Sequence, residues 1–68
     1  GVNMKLVYDD TGRCVMEGDT VKTFRGDLCE IVSFVKPHKC SSTGVIYVKQ
    51  NNTIIGFYPS VVGASWID

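Results

Sequence analysis

The segment from Lys36 to Gly44 holds the residues of this chain that are best suited to bind an anion. It gathers two lysines, the only histidine, two serines, a threonine and a glycine. Lysine ammonium groups, hydroxyl donors and the backbone amides of a glycine-containing turn can together hold a phosphate or a carboxylate. The candidate binding residues of this segment are Lys36, His38, Lys39, Ser41, Ser42 and Thr43.

The same segment also fits a purely structural role. It lacks the sequence pattern of a phosphate-binding loop and the helix that follows such a loop. Serine and threonine side chains often bond to their own backbone, and this stiffens a long loop while its lysines stay solvated. The residue types favour the structural role, and anion binding stays open as the alternative.

Catalytic and metal-binding functions are disfavoured by the spacing of the reactive side chains. His38 and Cys40 lie close together in a loop, but no third group is placed to orient a base. The cysteines Cys14, Cys29 and Cys40 are odd in number and widely spaced, unlike a disulfide framework or the paired ligands of a zinc site. We therefore predict a non-enzymatic protein with no metal, no cofactor and reduced thiols.

The size and the net charge of the chain disfavour further classes of function. The 68 residues form one domain, 1–68, which is too small for a deep cleft between subdomains. Seven basic and seven acidic residues cancel, whereas nucleic-acid-binding proteins usually carry a basic excess. No apolar run approaches the ~20 residues of a membrane helix, so we expect a cytoplasmic protein without membrane contact. The position of Met4 predicts a natural start there, with residues 1–3 as an added remnant.

Turn-forming residues divide the chain at short, regular intervals, and the segments between them are rich in Val, Ile, Phe, Tyr and Thr. This pattern is typical of a small barrel or sandwich, and no stretch has a sustained helical period. It predicts strands at residues 5–8, 13–16, 20–24, 28–35, 45–50, 53–58 and 65–67. The strand at 28–35 is apolar on both faces, which we expect of a bent strand that serves both halves of a barrel.

The predicted closure of the fold is more specific. Asn51 and Asn52 suit a two-residue hairpin turn because asparagine tolerates left-handed φ. Pro59 cannot continue a β-ladder, and a short 3₁₀ turn over residues 59–62 fits before the last strand. This order of elements is how SH3-like barrels close. We predict an all-β fold, a small SH3-like barrel of five to six antiparallel strands with a 3₁₀ turn before the last one.

Three motifs support a resemblance to a known group of proteins. They are Gly18-Asp19-Thr20 with Phe24-Arg25-Gly26, then Lys36-Pro37-His38-Lys39-Cys40-Ser41-Ser42-Thr43-Gly44 with Tyr47-Val48, and Tyr58-Pro59-Ser60-Val61 with Trp66. With these motifs the chain resembles a group of small proteins, without an assigned activity, from tailed bacteriophages and prophages. It departs from them at Cys40, where proline is usual, and at Val45, where a basic residue is usual. The resemblance implies a phage or mobile-element origin.

The aromatic residues offer a second candidate surface. One Trp, three Tyr and three Phe are more rings than a barrel of this size can bury completely. Phe57 and Tyr58 are adjacent in a predicted strand, so they face opposite ways and one of them lies outside the core. Together with Tyr47 on the neighbouring strand, an exposed ring could contact a partner chain or stacked bases. Tyr47 and Phe57 are therefore candidate binding residues, unless the exposed ring simply covers apolar surface.

These observations lead to three functional hypotheses. The leading one is a non-enzymatic interaction module of phage origin, which binds an unknown protein partner or a copy of itself. The second is a nucleic-acid-binding SH3-like domain, and it requires one basic face. The residues that would form that face are Lys22, Arg25, Lys36, Lys39 and Lys49. The third and weakest is anion or small-ligand binding at residues 36–44.

Overall fold

The computed structural model of the chain describes residues 4–37 and 43–67. These residues form six β-strands and one 3₁₀ turn. The strands are β1 (Lys5–Tyr8), β2 (Thr20–Lys22), β3 (Leu28–Val35), β4 (Val45–Gln50), β5 (Thr53–Phe57) and β6 (Ala64–Ile67). The 3₁₀ turn (Pro59–Val62) directly precedes β6.

The strands of the described residues are arranged in two antiparallel sheets. The larger sheet has the order β2-β3-β4-β5, and β1 pairs with β6 in a second sheet. The bounds of β1, β3, β4 and the 3₁₀ turn are those predicted from the sequence. The prediction of a small all-β fold of five to six antiparallel strands, with a 3₁₀ turn before the last strand, is confirmed.

One predicted strand, at residues 13–16, is wrong. Here a single β-bridge joins Cys14 to Val7 of β1. The backbone N–H of Met16 donates to the Asp19 carboxylate over 3.0 Å. The backbone N–H of Asp19 also donates to the Met16 carbonyl oxygen over 3.1 Å, so the chain turns at this point and the pairing with β1 does not extend into a strand.

The core lies between the two sheets. Its largest fully buried side chains are Leu6, Ile31, Ile46 and Val48. Phe34 and Trp66 pack against this cluster with their ring centroids 6.1 Å apart in an edge-to-face arrangement. The two small sheets are thus joined by one continuous set of apolar contacts.

The hairpin between β4 and β5 confirms the turn predicted at its tip. Asn51 and Asn52 have φ values of 53° and 64°, so both lie in the left-handed region. Such a turn matches the right-handed twist of the strands that it joins. The turn fixes the register in which Gln50 faces Thr53 and, further along, Val48 faces Ile55.

The register between β3 and β4 shifts once, and this shift decides which side chains of β3 point outward. Ile31 faces Val48, whereas the next paired residue, Ser33, faces Tyr47. Val32 is therefore the extra residue of a β-bulge. We expected both faces of β3 to serve the core; this is wrong, because Leu28, Val32 and Val35 remain exposed.

Candidate functional site

The most unusual surface of the molecule is the side of the four-stranded sheet that faces away from the core, called the outer face below. The register assigns to it Thr20 and Lys22 of β2, Leu28, Glu30, Val32, Ser33 and Val35 of β3, Val45, Tyr47 and Lys49 of β4, and Ile54 and Gly56 of β5. An antiparallel sheet with one solvated face normally carries polar residues there. This face is instead mainly apolar.

The exposed apolar side chains of the outer face are large. Leu28 is 61% and Ile54 is 54% exposed, on opposite sides of the sheet's centre. Tyr47 lies in the next row along the strands, opposite Gly56, and its ring passes over this glycine: the ring atom Cε1 is 3.3 Å from where a Cβ of residue 56 would be. A side chain at residue 56 would push this ring away, so glycine here lets an aromatic ring cover the backbone of an edge strand.

The centre of the outer face carries one acidic and one basic side chain. Glu30 of β3 and Lys49 of β4 are directly opposite each other in the register, and both are exposed. Thr20 continues this row on β2, and Ile54 continues it on β5. The outer face therefore combines an apolar surface with a pair of opposite charges at its middle.

The anion-binding loop predicted from the sequence is described only at its two ends. His38, Lys39, Ser41 and Ser42 lie outside the described residues, as does Cys40 of the proposed Cys–His pair. Lys36 and Thr43 are both exposed. The Thr43 hydroxyl donates to the carbonyl oxygen of Gly44 over 3.4 Å, which is the local bonding that a structural role predicts.

The base of this loop is tightly packed. Gly44 has a φ of 70°, and a Cβ at this position would lie 2.6 Å from the Val35 carbonyl oxygen and 2.7 Å from Trp66 Nε1. The indole N–H of Trp66 is buried and has no hydrogen-bond partner in the described part of the chain. A cleft of about 340 Å³ between Pro37, Pro59 and Trp66 lies beside it.

A hydrogen bond that sequence reasoning missed connects β1 to the start of β2. The Tyr8 hydroxyl donates to Asp19 Oδ2 over 2.7 Å, and the Arg13 guanidinium lies 5.2 Å from the centroid of the Tyr8 ring. Burial and this hydrogen bond raise the pKa of Tyr8 to about 12. The bonds from Tyr8 and from the Met16 N–H hold the pKa of Asp19 below its usual value. These contacts stabilise the fold and occupy the groups that could otherwise react.

The two predicted aromatic binding residues lie on opposite faces of the sheet. Phe57 pairs with the buried Ile46 and packs against the core, whereas Tyr47 belongs to the outer face. As predicted, one member of the Phe57–Tyr58 pair is exposed, and it is Tyr58, at 68%. Tyr47 and Phe57 therefore form no shared patch, and Tyr47 instead lies between Ser33 of β3 and Gly56 of β5.

The described basic residues do not form one face for nucleic acid. Arg25 precedes β3 and stacks 5.6 Å from the Phe24 ring, whereas Lys36 follows β3 at its other end. The eight residues of β3 separate them by about 26 Å at ~3.3 Å per residue. Lys49 and Lys22 lie on strands to either side of β3, with Glu30 between them. Lys39 is outside the described residues.

Other chemistry finds little support in the described residues. Within 4–37 and 43–67, no three His, Cys, Asp or Glu side chains are grouped so that they could hold a metal ion. Cys14 is an exposed free thiol, and Cys29 is a buried one whose pKa is raised by burial. No helix among these residues has the length and apolar character to cross a membrane.

Comparisons with models of known protein families, with characterised proteins and with solved structures find no match to this chain. The resemblance to small phage proteins therefore stays a prediction. The sequence analysis also did not predict the outer face, although the residues of β3 carried a sign of it. This sign was the apolar character of both faces of β3, one of which is the exposed outer face.

Proposed function

We propose that this chain is a non-enzymatic interaction module whose contact surface is the outer face of its four-stranded sheet. One observation supports this most strongly: Val32 and Tyr47 are exposed side by side on neighbouring strands, and Leu28, Val35 and Ile54 add exposed apolar area to the same face. Single exposed apolar residues are ordinary, but contiguous ones on a small domain mark interaction surfaces. The proposal covers protein binding and self-association.

The energetics of this surface favour a contact of moderate strength. Full burial of a Leu or Ile side chain contributes about 1.5–3 kcal/mol, and these side chains are already partly covered in the free chain. Several of them together can offset an association cost of at least ~4 kcal/mol. We therefore expect dissociation constants in the micromolar range.

The central charges give such a contact specificity. Glu30 and Lys49 lie opposite each other within this surface, so a partner that covers it must accommodate both charges. Taking a pair of charges out of water is costly even when they face each other, and this disfavours partners that are merely apolar. The outer face thus has an apolar area for affinity and a charge pair for selection.

The proposal also includes a phage or mobile-element origin and a role in the cytoplasm of a bacterial host. The origin rests on the sequence motifs around Pro37 and Pro59. The location is supported by the free thiols Cys14 and Cys29, since proteins of oxidising compartments usually pair their cysteines.

A pair of matched double variants tests this function. Leu28→Lys with Ile54→Lys places two charges on the outer face, and Met16→Lys with Ile67→Lys places two elsewhere. Met16 is 61% exposed, like Leu28, and Ile67 lies on β6 of the other sheet. Contact is measured as mass by light scattering at micromolar concentration and as proteins retained from a bacterial lysate.

The wild type and the control variant should keep the contact, and the outer-face variant should lose it. Thermal unfolding of all three proteins confirms that each is folded. A wild type that is monomeric and retains no protein would contradict the proposal. So would a contact that the outer-face variant leaves unchanged.

A further inference from the structure

The charge pair on the outer face allows one partner to be named. Glu30 and Lys49 are directly opposite each other on the two central strands of the sheet. We infer that the partner of the outer face is a second copy of this chain, packed face to face about a twofold axis that runs along the strands between β3 and β4. This inference rests on the proposed function and specifies its occupant.

The symmetry of the charge pair supports this partner. A twofold axis parallel to the strands, midway between β3 and β4, places β3 of one copy over β4 of the other. Because Glu30 and Lys49 occupy the same level on these strands, each Glu30 then lies over the second copy's Lys49. A twofold contact always repeats its pairs, so two equivalent ion pairs form.

The same rotation matches the apolar residues of the two strands. Tyr47 faces the bulge at Val32 and Ser33 within one copy, so it lies over the second copy's bulge in the dimer. Val35 faces Val45 and is placed over Val45 of the second copy in the same way. Apolar contacts therefore adjoin the charge pair on the side towards Val35 and Val45, where they exclude water and strengthen the ion pairs.

Other arrangements of two copies are disfavoured by the same charges. A twofold axis that crosses the strands at the level of Glu30 would place β3 over β3 and bring the two Glu30 carboxylates together. Such like-charge contacts within an apolar surface cost several kcal/mol. The charge pattern thus selects one of the two simplest face-to-face arrangements.

The size of the outer face limits the strength of this contact. Its four strands have 3, 8, 6 and 5 residues, which span roughly 350 Å² in projection at ~3.3 Å per residue and ~4.8 Å between strands, and the accessible area is larger because side chains protrude. Small specific interfaces bury about 600 Å² on each partner. The face is thus at or below the lower limit, and we expect a weak dimer.

Charge exchange tests the inference directly. Glu30→Lys alone gives a copy with two positive charges at the centre of the face, and Lys49→Glu alone gives a copy with two negative charges. Each variant should dimerise at least about tenfold more weakly than the wild type, because like charges meet across the axis. The dissociation constants come from sedimentation equilibrium, with thermal unfolding as the check on folding.

A mixture of the two single variants is the decisive experiment for the twofold arrangement. In an equimolar mixture the positive copy faces the negative copy at both ion pairs, so a heterodimer should form at least as tightly as the wild-type dimer. The doubly exchanged variant, Glu30→Lys with Lys49→Glu, should dimerise like the wild type. A change in the stability of a single copy cannot produce association on mixing.

The outcomes separate this inference from the proposed function. A mixture that associates no better than its components would overturn the twofold arrangement. So would a wild type that remains monomeric at ~1 mM. If that monomer still retains another protein through the outer face, the second copy is wrong as partner and the interaction module stands. If nothing is retained either, both are wrong.

Discussion

The hydroxyl of Tyr8 shows how a single residue can connect distant parts of a small β-protein. It donates to Asp19, eleven positions further along the chain, across the segment that was expected to be a strand. The aromatic ring of Tyr8 is buried, while its hydroxyl reaches a carboxylate nearer the surface. Tyr8 and Asp19 therefore hold β1 against the start of β2.

Tyr8→Phe removes the hydroxyl but keeps the ring that packs in the core. We expect a loss of about 1 kcal/mol of unfolding free energy, measured by chemical denaturation, because one hydrogen bond to a carboxylate is lost. The pKa of Asp19, measured by NMR titration, should rise towards its usual value, since the first cause of its depression is gone. An unchanged Asp19 pKa would show that the bond is not formed in solution.

The pH dependence of stability follows from the same pair. The folded state raises the pKa of Tyr8 to about 12 from 10.0. The contribution of Tyr8 to the unfolding free energy is therefore complete below pH 10 and is lost as the pH rises through 12. The folded state lowers the pKa of Asp19 from 3.8, so its contribution is present above that value and is lost as the pH falls. Unfolding free energies across pH 9–12.5 should fall more steeply for the wild type than for Tyr8→Phe. The difference between the two slopes is at most ~1.4 kcal/mol per pH unit, because a single proton is involved. Parallel curves would contradict this account.

At the scale of the strands and turns, glycine and asparagine determine where the chain can reverse. Gly44 begins the approach to β4 at a point where the backbone passes close to Trp66 and Val35. Gly12 has nearly the same φ, 73° against 70°, but nothing lies near its missing side chain. The two glycines therefore separate the effect of backbone conformation from the effect of close packing.

Gly44→Ala should destabilise the fold clearly more than Gly12→Ala. Both substitutions place alanine at positive φ, which costs about 1–2 kcal/mol. Only Gly44→Ala also forces a methyl group against the Val35 carbonyl oxygen and the Trp66 indole, and we expect about 3 kcal/mol or more in total. Denaturant midpoints measure the difference, and equal effects of the two substitutions would refute the close approach at residue 44.

The hairpin tip offers a stabilising substitution. Asn52 has a φ of 64°, which glycine adopts without strain. Asn52→Gly should raise the unfolding free energy by about 0.5 kcal/mol, since the relief of strain exceeds the added flexibility of the unfolded chain. Asn52→Ala should lower it by about 1 kcal/mol. The left-handed turn would be contradicted if the alanine variant were the more stable of the two in thermal unfolding.

The sequence predicted well those elements of the fold that depend on residues close together in the chain. The β-branched run of β3, the paired asparagines after β4 and the proline of the 3₁₀ turn each determine the backbone through neighbouring residues, and these elements have the predicted bounds. The strand expected at residues 13–16 failed because the chain turns at Met16, where both the backbone N–H and the carboxylate of Asp19 bond to Met16. This turn could not be read from residues 13–16 alone, since Asp19 is also held by the Tyr8 hydroxyl of β1.

At the scale of the whole molecule, the candidate site could not be predicted from residue types alone. The apolar residues of β3 were recognised, but whether they face a core or water depends on how many sheets cover the strand. Here the second sheet has only two strands and covers one face of β3-β4, so the other face stays open. Tyr47 was a correct candidate for exposure, whereas its expected neighbour Phe57 packs inward because it pairs with Ile46.

The most direct test of this account is to observe the contact between two outer faces. A sample that mixes isotope-labelled and unlabelled protein at ~1 mM permits measurement of nuclear Overhauser effects between copies. We expect signals between the Tyr47 ring of one copy and the Val32 methyl groups of the other, which the twofold arrangement places together. Signals that arise only at Phe24 or Tyr58, or no signals between copies, would contradict the account.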